Sequence, residues 1–366
     1  MYSLSLRRAS RAALLMPLAV LAACDLPSEA PIFEQTWVVP ADSVSVGVGN
    51  LLPSGVAVNG GGTAFVVTTP AANINTSLGA VCGQAACQSG VTVNAPVPAF
   101  TSSVGAFSSS IAFPVGVNSA SVAGGTIAIL ITNNLGFDPL RPNGAAAPYG
   151  RLIVTVTSGT TARTDTIQGS ASQGIANSAS TNFSVTLPIG SYANTVSVAM
   201  SLVVPAGGNA NLNAGNAISV NAMLQNLAVS QATVVVSNRA ISTAPSEFDL
   251  DGLDFDDEVQ SGAIILDIAN PFTAAGSLNV VINAPMQGGS PAVNIQKTIA
   301  ISAQPNSSQT VALTRAELVS LLGKSGVTVS TNGTVTGTGA GNTVTVTPTS
   351  QITVRTQMQL ILHVGA

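Results

Sequence analysis

The sequence predicts an all-β fold, in which two tandem antiparallel β-sandwich domains are accompanied by one short helix. Short segments alternate apolar and polar residues, for example Val44–Val48, Leu152–Val156 and Thr343–Thr347. Glycine, proline and asparagine interrupt this alternation at short intervals, and one run of twelve residues recurs further along the chain. Alternation with a period of two, bounded by turn residues, is typical of antiparallel strands with one buried face.

The N-terminus has the three parts of a secretory signal. Arg7, Arg8 and Arg11 supply positive charge, and the uncharged apolar run Ala12–Ala23 follows them. This run of twelve residues is too short to span the roughly 30 Å of bilayer hydrocarbon. We therefore expect residues 1–23 to be a cleaved signal peptide.

The end of that run, Leu21-Ala22-Ala23-Cys24, resembles the lipobox of bacterial lipoproteins. The resemblance implies cleavage before Cys24, a lipid on its thiol, and an extracytoplasmic protein anchored stably to a membrane. An ordinary cleaved signal followed by a chance cysteine is the alternative. Asp25 resembles the inner-membrane retention signal of enterobacteria, but that rule does not hold in all lineages. Inner and outer membrane, and periplasm and cell surface, therefore stay open.

The composition argues against nucleic acid as a partner. Charged residues are only 7% of the chain, far below the usual quarter. After Cys24, eight basic residues stand against fifteen acidic ones, so the mature chain has a net charge of −7. Nucleic-acid binding needs clustered positive charge, which this chain lacks.

Two further cysteines, Cys82 and Cys87, are close together in the sequence CGQAAC. Disulfides persist outside the cytoplasm, so we predict a local disulfide between them. A metal site is the alternative, but it would need two more ligands, and the only histidine is His363 near the C-terminus.

An internal repeat is the most informative pattern. Val122–Asn133 matches Val259–Asn270 without a gap, at a constant offset of 137 residues. Similar segments then follow in the same order in both copies. The matched pairs are Leu152–Val156 with Leu278–Ile282, Thr166-Ile167 with Thr298-Ile299, Asn177-Ser178 with Asn306-Ser307, Val185–Leu187 with Val311–Leu313, and the strand from Ala217 with Gln351–Val364. Chance similarity between strands is the alternative, but each copy has the size of one sandwich.

These patterns predict a division of the chain. After the signal peptide comes a lipidated tether, residues 24–43, in which Phe33 and Trp37 are candidates for docking on the first folded unit. Residues 44–100 form an N-terminal β segment that is either separate or part of the first sandwich. Residues 101–244 form the first sandwich and residues 245–366 the second.

One helix is predicted, between Thr314 and Gly323. Thr314 is followed three residues later by Glu317, which is the spacing of a capping box, and Gly323 is suited to end the helix. An apolar run, Leu318–Leu322, lies between them.

The second copy resembles the LEA2 or WHy (water stress and hypersensitive response) domain of plants. The resemblance rests on a strand ending in Asn270-Pro271-Phe272, a Thr298-Ile299 strand, a polar turn at Asn306-Ser307, and a strand ending in Leu313. It implies a small antiparallel sandwich with a helix and a non-enzymatic role in stress protection or lipid handling. The first copy departs from the pattern, because it has Asn133-Asn134-Leu135 at the turn and an insertion at Phe137–Gly150.

Seven of the fifteen acidic residues lie within twelve positions, from Glu247 to Glu258, and we name residues 247–258 the acidic segment. As a strand it would bury Phe248 and Leu250 and expose its carboxylates. One alternative is a solvated edge strand that discourages aggregation. The other is a Ca²⁺ site, because Ca²⁺ prefers oxygen ligands. Its candidate ligands are Asp249, Asp251, Asp254, Asp256, Asp257 and Glu258. We predict no other cofactor.

The sequence contains no catalytic motif. His363 lies on an alternating terminal strand and is expected to be a surface residue, so a serine or cysteine triad is disfavoured. The predicted function is that of a non-enzymatic structural or interaction module of the cell envelope, which could pair with envelope proteins by strand addition. Binding of a lipid or other apolar ligand inside a sandwich is the second hypothesis. A glycosidase with paired carboxylates is the third, and it is disfavoured because aromatic residues are only 4%.

Overall fold

The structure is a computed structural model that describes residues 33–364, and β-strands dominate it. The prediction of an all-β fold is confirmed. The strands are β1 Phe33–Pro40, β2 Val44–Gly47, β3 Val56–Val58, β4 Phe65–Val67, β5 Ala72–Ser77, β6 Val93–Pro96, β7 Phe100–Thr101, β8 Phe107–Ala112, β9 Val117–Asn134, β10 Arg151–Ser158, β11 Thr161–Gln168, β12 Ala179–Thr186, β13 Gly190–Ala193, β14 Thr195–Val204, β15 Asn209–Leu212, β16 Ala217–Val235, β17 Arg239–Ser242, β18 Ser246–Phe248, β19 Val259–Ala269, β20 Ala274–Ala284, β21 Val293–Ile301, β22 Asn306–Leu313, β23 Val327–Gly337, β24 Thr343–Val346 and β25 Gln351–Val364. The helices are α1 Leu78–Cys82 and α2 Arg315–Leu321, and 3₁₀ turns lie at Val48–Leu51, Ala85–Cys87 and Val104–Ala106.

The first sandwich contains two antiparallel sheets with a shared apolar core. One sheet has the central order β12–β9–β16, and the other has the order β11–β10–β14. Along its free side β16 pairs in turn with β5, β4 and β24, while β3 extends β4. On the other sheet β7 and β8 both pair with β14. β13 pairs with β9, and β6 and β15 form a small separate ribbon.

The second sandwich repeats this arrangement. Its sheets have the central orders β22–β19–β25 and β21–β20–β23. β1 and β2 pair with the free side of β25, and β17 and β18 pair with β23. Each central strand therefore has a counterpart with the same neighbours in the first sandwich, which is the arrangement that the predicted duplication implies.

With one exception, the strand registers agree with the sequence matches. Leu152 lies opposite Ile167 in the first copy, as Leu278 lies opposite Ile299 in the second. Ile127 lies opposite Val185, and the residue 137 positions after Ile127, Ile264, lies opposite Val311. The two copies therefore share side-chain pairs as well as strand order.

One sequence match is wrong by three residues. Asn306 lies opposite Ala269, and the equivalent of Ala269 in the first copy, Thr132, lies opposite Ser180. Asn306 therefore corresponds to Ser180 and not to Asn177. The connection before β12 is longer than the connection before β22, and the polar residues in the two connections do not align.

The recurring run supplies the core of both sandwiches. Ile127, Ile129 and Ile131 of β9 are at most 1% exposed, and so are their counterparts Ile264, Leu266 and Ile268 in β19. Because strand side chains alternate between faces, a slip of one residue would turn all three of them toward water. Burial of these faces therefore fixes the register.

The predicted division of the chain needs four corrections, and β24 is one of them, because it lies within residues 245–366 but pairs with β16 of the first sandwich. Residues 33–40 form β1 on β25, so the tether prediction for residues 24–43 is wrong from Phe33 onward. The segment 44–100 is shared: β2 belongs to the second sandwich, whereas β3, β4, β5, β7 and β8 join the first. β17 pairs with β23, so the second sandwich resumes before residue 245.

The first sandwich is thus inserted into the second. The chain builds β1 and β2 on one sheet of the second sandwich, forms the first sandwich, and returns to the second sandwich at β17. Two hydrogen bonds join the segment that leads into the first sandwich to the segment that follows it. Ser246 donates its hydroxyl proton to the carbonyl of Asp42 at 2.6 Å, and Arg239 donates to the carbonyl of Leu52 at 3.2 Å. β24, which the chain forms between β23 and β25, completes the free side of β16 and so belongs to the first sandwich.

A buried asparagine holds the same turn in both copies. Asn270 is 1% exposed. Its Nδ2 donates to the carbonyls of Ala274 and Ser302, at 2.9 and 3.0 Å, and its Oδ1 accepts from the Phe272 amide at 3.2 Å.

Asn133 makes the equivalent set of bonds in the first copy. It donates to the carbonyls of Phe137 and Ile175, at 2.8 and 2.7 Å, and accepts from the Leu135 amide at 2.9 Å. The side chain therefore satisfies three backbone groups at a largely buried turn in each sandwich, and buried polar groups require such partners.

The predicted helix is confirmed and a second one was missed. α2 begins after Thr314, whose hydroxyl accepts from the Glu317 amide while the Glu317 carboxylate accepts from the Thr314 amide at 2.8 Å. α1 escaped prediction because it has only five residues, one of them Gly79. Its N-cap is Ser77, which accepts from the Ala80 amide.

Glu317 links this cap to the neighbouring sheet. Its carboxylate lies 2.8 Å from Lys297 Nζ of β21. Burial by itself would raise the pKa of Glu317, but the hydrogen bonds from Lys297 and Thr314 outweigh it and place the pKa below its ordinary value of 4.5. Because the folded pKa is lowered, the resulting stabilisation is present above pH 4.5 and is lost as the pH falls through the folded pKa.

Glu317→Gln should therefore lower the free energy of unfolding at pH 7, by about 1 kcal/mol as for other caps. The difference from the wild type should shrink below pH 4.5. Urea unfolding at a series of pH values from 7 to about 3 measures both effects, given the ordinary range of carboxylate pKa values. Glu247→Gln, at an exposed glutamate of β18, is the matched control. A Glu317→Gln deficit that stays constant down to the lowest pH would contradict this account.

Candidate interaction surface

β1 is the outermost strand of its sheet. The amide of Ala41, just after β1, donates to the carbonyl of Thr356 at 3.0 Å. Hydrogen-bonded and non-hydrogen-bonded pairs alternate along an antiparallel ladder. The backbone groups of Glu34, Thr36 and Val38 therefore point away from β25, toward the free edge. Pro40 lacks an N–H group, so the next outward position has no donor.

The side chains of β1 are exposed on both faces of the strand. Phe33 is 60% exposed, Trp37 42% and Val38 52%. The Trp37 ring packs edge-to-face on Phe255 of the acidic segment, with 5.0 Å between ring centroids. Val364, which lies opposite Phe33 on β25, is 38% exposed. We name this the β1 surface: the free edge of β1 together with Phe33, Trp37, Val38 and Val364.

The β1 surface carries one acidic residue and no basic residue on its own strand. Glu34 lies opposite His363, with 3.9 Å between Oε2 and Nε2. A strand at another sheet edge, β11, carries Arg163 and Asp165, which form an ion pair at 3.0 Å. Charged side chains discourage pairing at sheet edges, and β1 has little of this protection.

The acidic segment borders the β1 surface through Phe255. Its apolar residues point inward, with Phe248 and Leu250 fully buried, while its aspartates are exposed. Arg315 of α2 holds the end of the segment by donating to the carbonyl of Asp256 and to that of Val259, the first residue of β19, both at 2.8 Å. These bonds use backbone oxygens, so the carboxylates stay free to face water.

The positions of the acidic side chains do not support the calcium hypothesis. Among residues 33–364, no three His, Cys, Asp or Glu side chains converge closely enough to hold a metal ion. Alternating burial spreads the candidate ligands instead of gathering them around one point, and the structure favours the solvated acidic alternative. The residues concerned are Asp249, Asp251, Asp254, Asp256, Asp257 and Glu258.

We therefore expect the melting temperature to be the same in Ca²⁺ and in a chelator. A site saturated a hundredfold above its Kd would add about 2.7 kcal/mol to the free energy of unfolding, which a thermal melt detects easily. The triple variant Asp249→Asn, Asp251→Asn, Asp254→Asn is the control. A Ca²⁺-dependent rise in the wild type that disappears in this variant would restore the calcium site.

The predictions for the three cysteines have different outcomes. Cys82 and Cys87 form a disulfide, as predicted, and it closes the turn after α1. Both are buried in the first sandwich, so the bond is part of its core. Cys24 and the signal peptide lie outside the described residues, and the lipobox prediction stays a prediction.

The candidate catalytic groups do not assemble into a triad. His363 is exposed on β25 and contacts Glu34, and the thiols of Cys82 and Cys87 are consumed by their disulfide. The absence of an enzymatic activity stays a prediction.

Four surface depressions, with volumes of about 400 to 500 Å³, open to solvent. The first lies beside Tyr149 and the second beside Asp267 and Arg355. The third lies beside Pro285, and the fourth lies between α2 and the β20–β21 connection, beside Lys324. Only the fourth places a buried charged side chain in its wall.

Within residues 33–364, neither helix has the length and apolar character needed to cross a membrane. α1 has five residues and α2 has seven.

No protein-family model matches the sequence, and no curated protein matches it. Three solved structures show distant likeness. A protein of Parabacteroides distasonis ATCC 8503 thought to be secreted is 11% identical, with 89% of this chain and 99% of that chain covered and a TM-score of 0.29. The structure of infectious bursal disease virus, Gx strain, is 12% identical, with 93% and 74% covered and a TM-score of 0.21. Dimeric latent PorU of Porphyromonas gingivalis is 9% identical, with 81% and 32% covered and a TM-score of 0.18. At these TM-scores the likenesses carry no argument, and the description of the fold rests on the chain's own sheets.

Proposed function

We propose that this protein is an extracytoplasmic, lipid-anchored and non-enzymatic interaction module of the cell envelope. Its free strand β1 receives an extended segment of a partner protein by strand addition. The observation that carries the proposal is the β1 surface, because its unpaired backbone groups and exposed apolar side chains are what a docking strand requires.

The predicted anchor supports the same role. Nine residue steps separate Cys24 from Phe33, which is at most about 30 Å of extended chain. Lipid on Cys24 would therefore keep β1 near the membrane, where partners that are themselves anchored are concentrated. The nested architecture adds rigidity, since the strand next to the anchor is part of the second sandwich.

We also propose that both sandwiches are LEA2/WHy-like domains. The support is the shared asparagine. Although Asn133-Asn134-Leu135 departs from the Asn-Pro-aromatic pattern, Asn133 makes the same three hydrogen bonds as Asn270. The departure therefore affects the residues after the asparagine and leaves its role intact.

Photocrosslinking in intact bacteria tests the interaction role. A photoreactive amino acid at Thr36, on the free edge of β1, should give a crosslinked product of defined mass with one envelope protein. Thr164, on the charged edge strand β11, is the matched control and should give none. Adducts that are the same at both positions, or none at Thr36, would contradict strand addition.

The anchor is tested separately with Cys24→Ala. This variant should lose incorporation of labelled fatty acid and move from the membrane to the soluble extracytoplasmic fraction. Unchanged labelling would refute the lipobox prediction without affecting the β1 proposal.

A further inference from the structure

The chain contains two lysines, and the structure places them in opposite environments. Lys297 is partly exposed and pairs with Glu317 at 2.8 Å. Lys324, just after α2, is only 6% exposed, and no carboxylate among residues 33–364 lies within 4.0 Å of its ammonium group.

The surroundings of Lys324 use only part of its hydrogen-bonding capacity. Its Nζ donates to the carbonyl of Pro291, in the β20–β21 connection, at 2.5 Å. An ammonium group has three donors, and a buried one is costly unless an anion or further acceptors compensate it. The unused donors are therefore available to an anion from outside the chain.

Lys324 forms part of the wall of the groove between α2 and the β20–β21 connection, whose volume is about 430 Å³. Pro291, Val293, Val319 and Leu322 give one part of this groove an apolar lining, while Gln287, Ser290 and Ser320 make the rest polar. The connection is fastened near Lys324, because the side-chain oxygen of Gln287 accepts from the Ser325 amide at 2.8 Å. The groove is therefore formed before any ligand arrives.

Besides Lys324, the charged residue that lines the groove is Asp256, which is exposed. Its carboxylate disfavours ligands that carry several negative charges or a charge at both ends. A single anionic head against Lys324, with a short apolar chain along Val319 and Leu322, would satisfy both the ammonium group and the apolar part of the lining.

We propose that this groove binds a monocarboxylate with a short apolar chain, whose carboxylate accepts hydrogen bonds from Lys324 Nζ. This is a binding site on the outside of the second sandwich. It is independent of the β1 surface, and neither proposal depends on the other.

Isothermal titration calorimetry with octanoate tests the proposal on the exported chain from Asp25 onward. Octanoate should bind, and octan-1-ol, which has the same chain without the charge, should bind at least tenfold more weakly. Lys324→Met keeps the apolar stem and should weaken octanoate binding at least tenfold. Lys297→Met is the matched control and should bind octanoate as the wild type does.

A second variant keeps the test decisive if Lys324→Met fails to fold. Asp256→Asn removes an exposed carboxylate and should tighten octanoate binding several-fold. Absence of octanoate binding by the wild type at millimolar concentration would overturn the proposal. Equal binding of octanol and octanoate would overturn it too, as would unchanged binding by a folded Lys324→Met variant or by Asp256→Asn.

Discussion

Val46→Asp is expected to destabilise the second sandwich by about 3–5 kcal/mol, the range for an unpaired buried charge. Val46 is 3% exposed on β2 and lies opposite Ile352 of β25, which is 1% exposed. Although Val46 is close to the N-terminus, its side chain belongs to a sheet formed largely by the last third of the protein. A substitution at Val46 should therefore loosen strands that lie about three hundred residues later in the chain.

Urea unfolding measures the loss, and hydrogen exchange locates it. Peptides from β19 and β25 should exchange faster in Val46→Asp, and peptides from β10 and β14 should change less. Ser45→Asp is the matched control, because Ser45 is the exposed neighbour of Val46. Its effect should stay within about 0.5 kcal/mol, as for other surface substitutions. Equal effects of the two substitutions would mean that β2 does not belong to this sheet.

Asn270→Ala and Asn133→Ala are each expected to cost about 2–4 kcal/mol. Each substitution leaves two carbonyls and one amide without their partner, and unsatisfied buried groups cost about 1–3 kcal/mol apiece before the turn relaxes. Because the two asparagines have the same role, the two losses should be similar.

Urea unfolding of both variants checks this expectation. Asn332→Ala, at an exposed position of β23, is the control and should be nearly neutral. A large loss at Asn270 together with a neutral result at Asn133 would show that only the second copy depends on this turn. That outcome would also weaken the proposed LEA2/WHy relationship of the first copy.

The features that could be predicted from the sequence are those governed by local pattern. Alternation identified the strands, and the run from Val122 to Asn133 identified the duplication, because both sets of core side chains keep the same spacing. The cap at Thr314 could be predicted because its two hydrogen-bonding partners are only three residues apart.

The features that escaped prediction depend on contacts between distant segments. Nothing in the residues of β1 indicates that their partner is β25, so the sequence alone places Phe33 and Trp37 in a tether. The burial of Lys324, on which the proposed groove depends, is also not predicted by the sequence. Its burial results from the β20–β21 connection folding over it, and a lysine in a sequence otherwise suggests an exposed charge.

The acidic segment shows how composition alone misleads about a site. Six candidate oxygen ligands near Gly252 suggested calcium, but binding requires that they converge. Burial of Phe248 and Leu250 and the bonds from Arg315 to backbone carbonyls direct the carboxylates outward instead.

The central claim is that β1 pairs with β25 at the edge of the second sandwich. The first sandwich is then inserted into the second, and β1 forms the free edge of the sheet.

A designed disulfide tests this claim most directly. Glu34 and His363 lie opposite each other, and the alternation of the ladder makes them a non-hydrogen-bonded pair, in which side chains are closest. Glu34→Cys with His363→Cys should form an intramolecular disulfide in the exported chain from Asp25, detected by unreduced peptide mapping. Thr36→Cys with His363→Cys, two residues out of register, should not. Free thiols or only intermolecular bonds in the first variant would show that residues 33–40 are a tether, and would contradict the account.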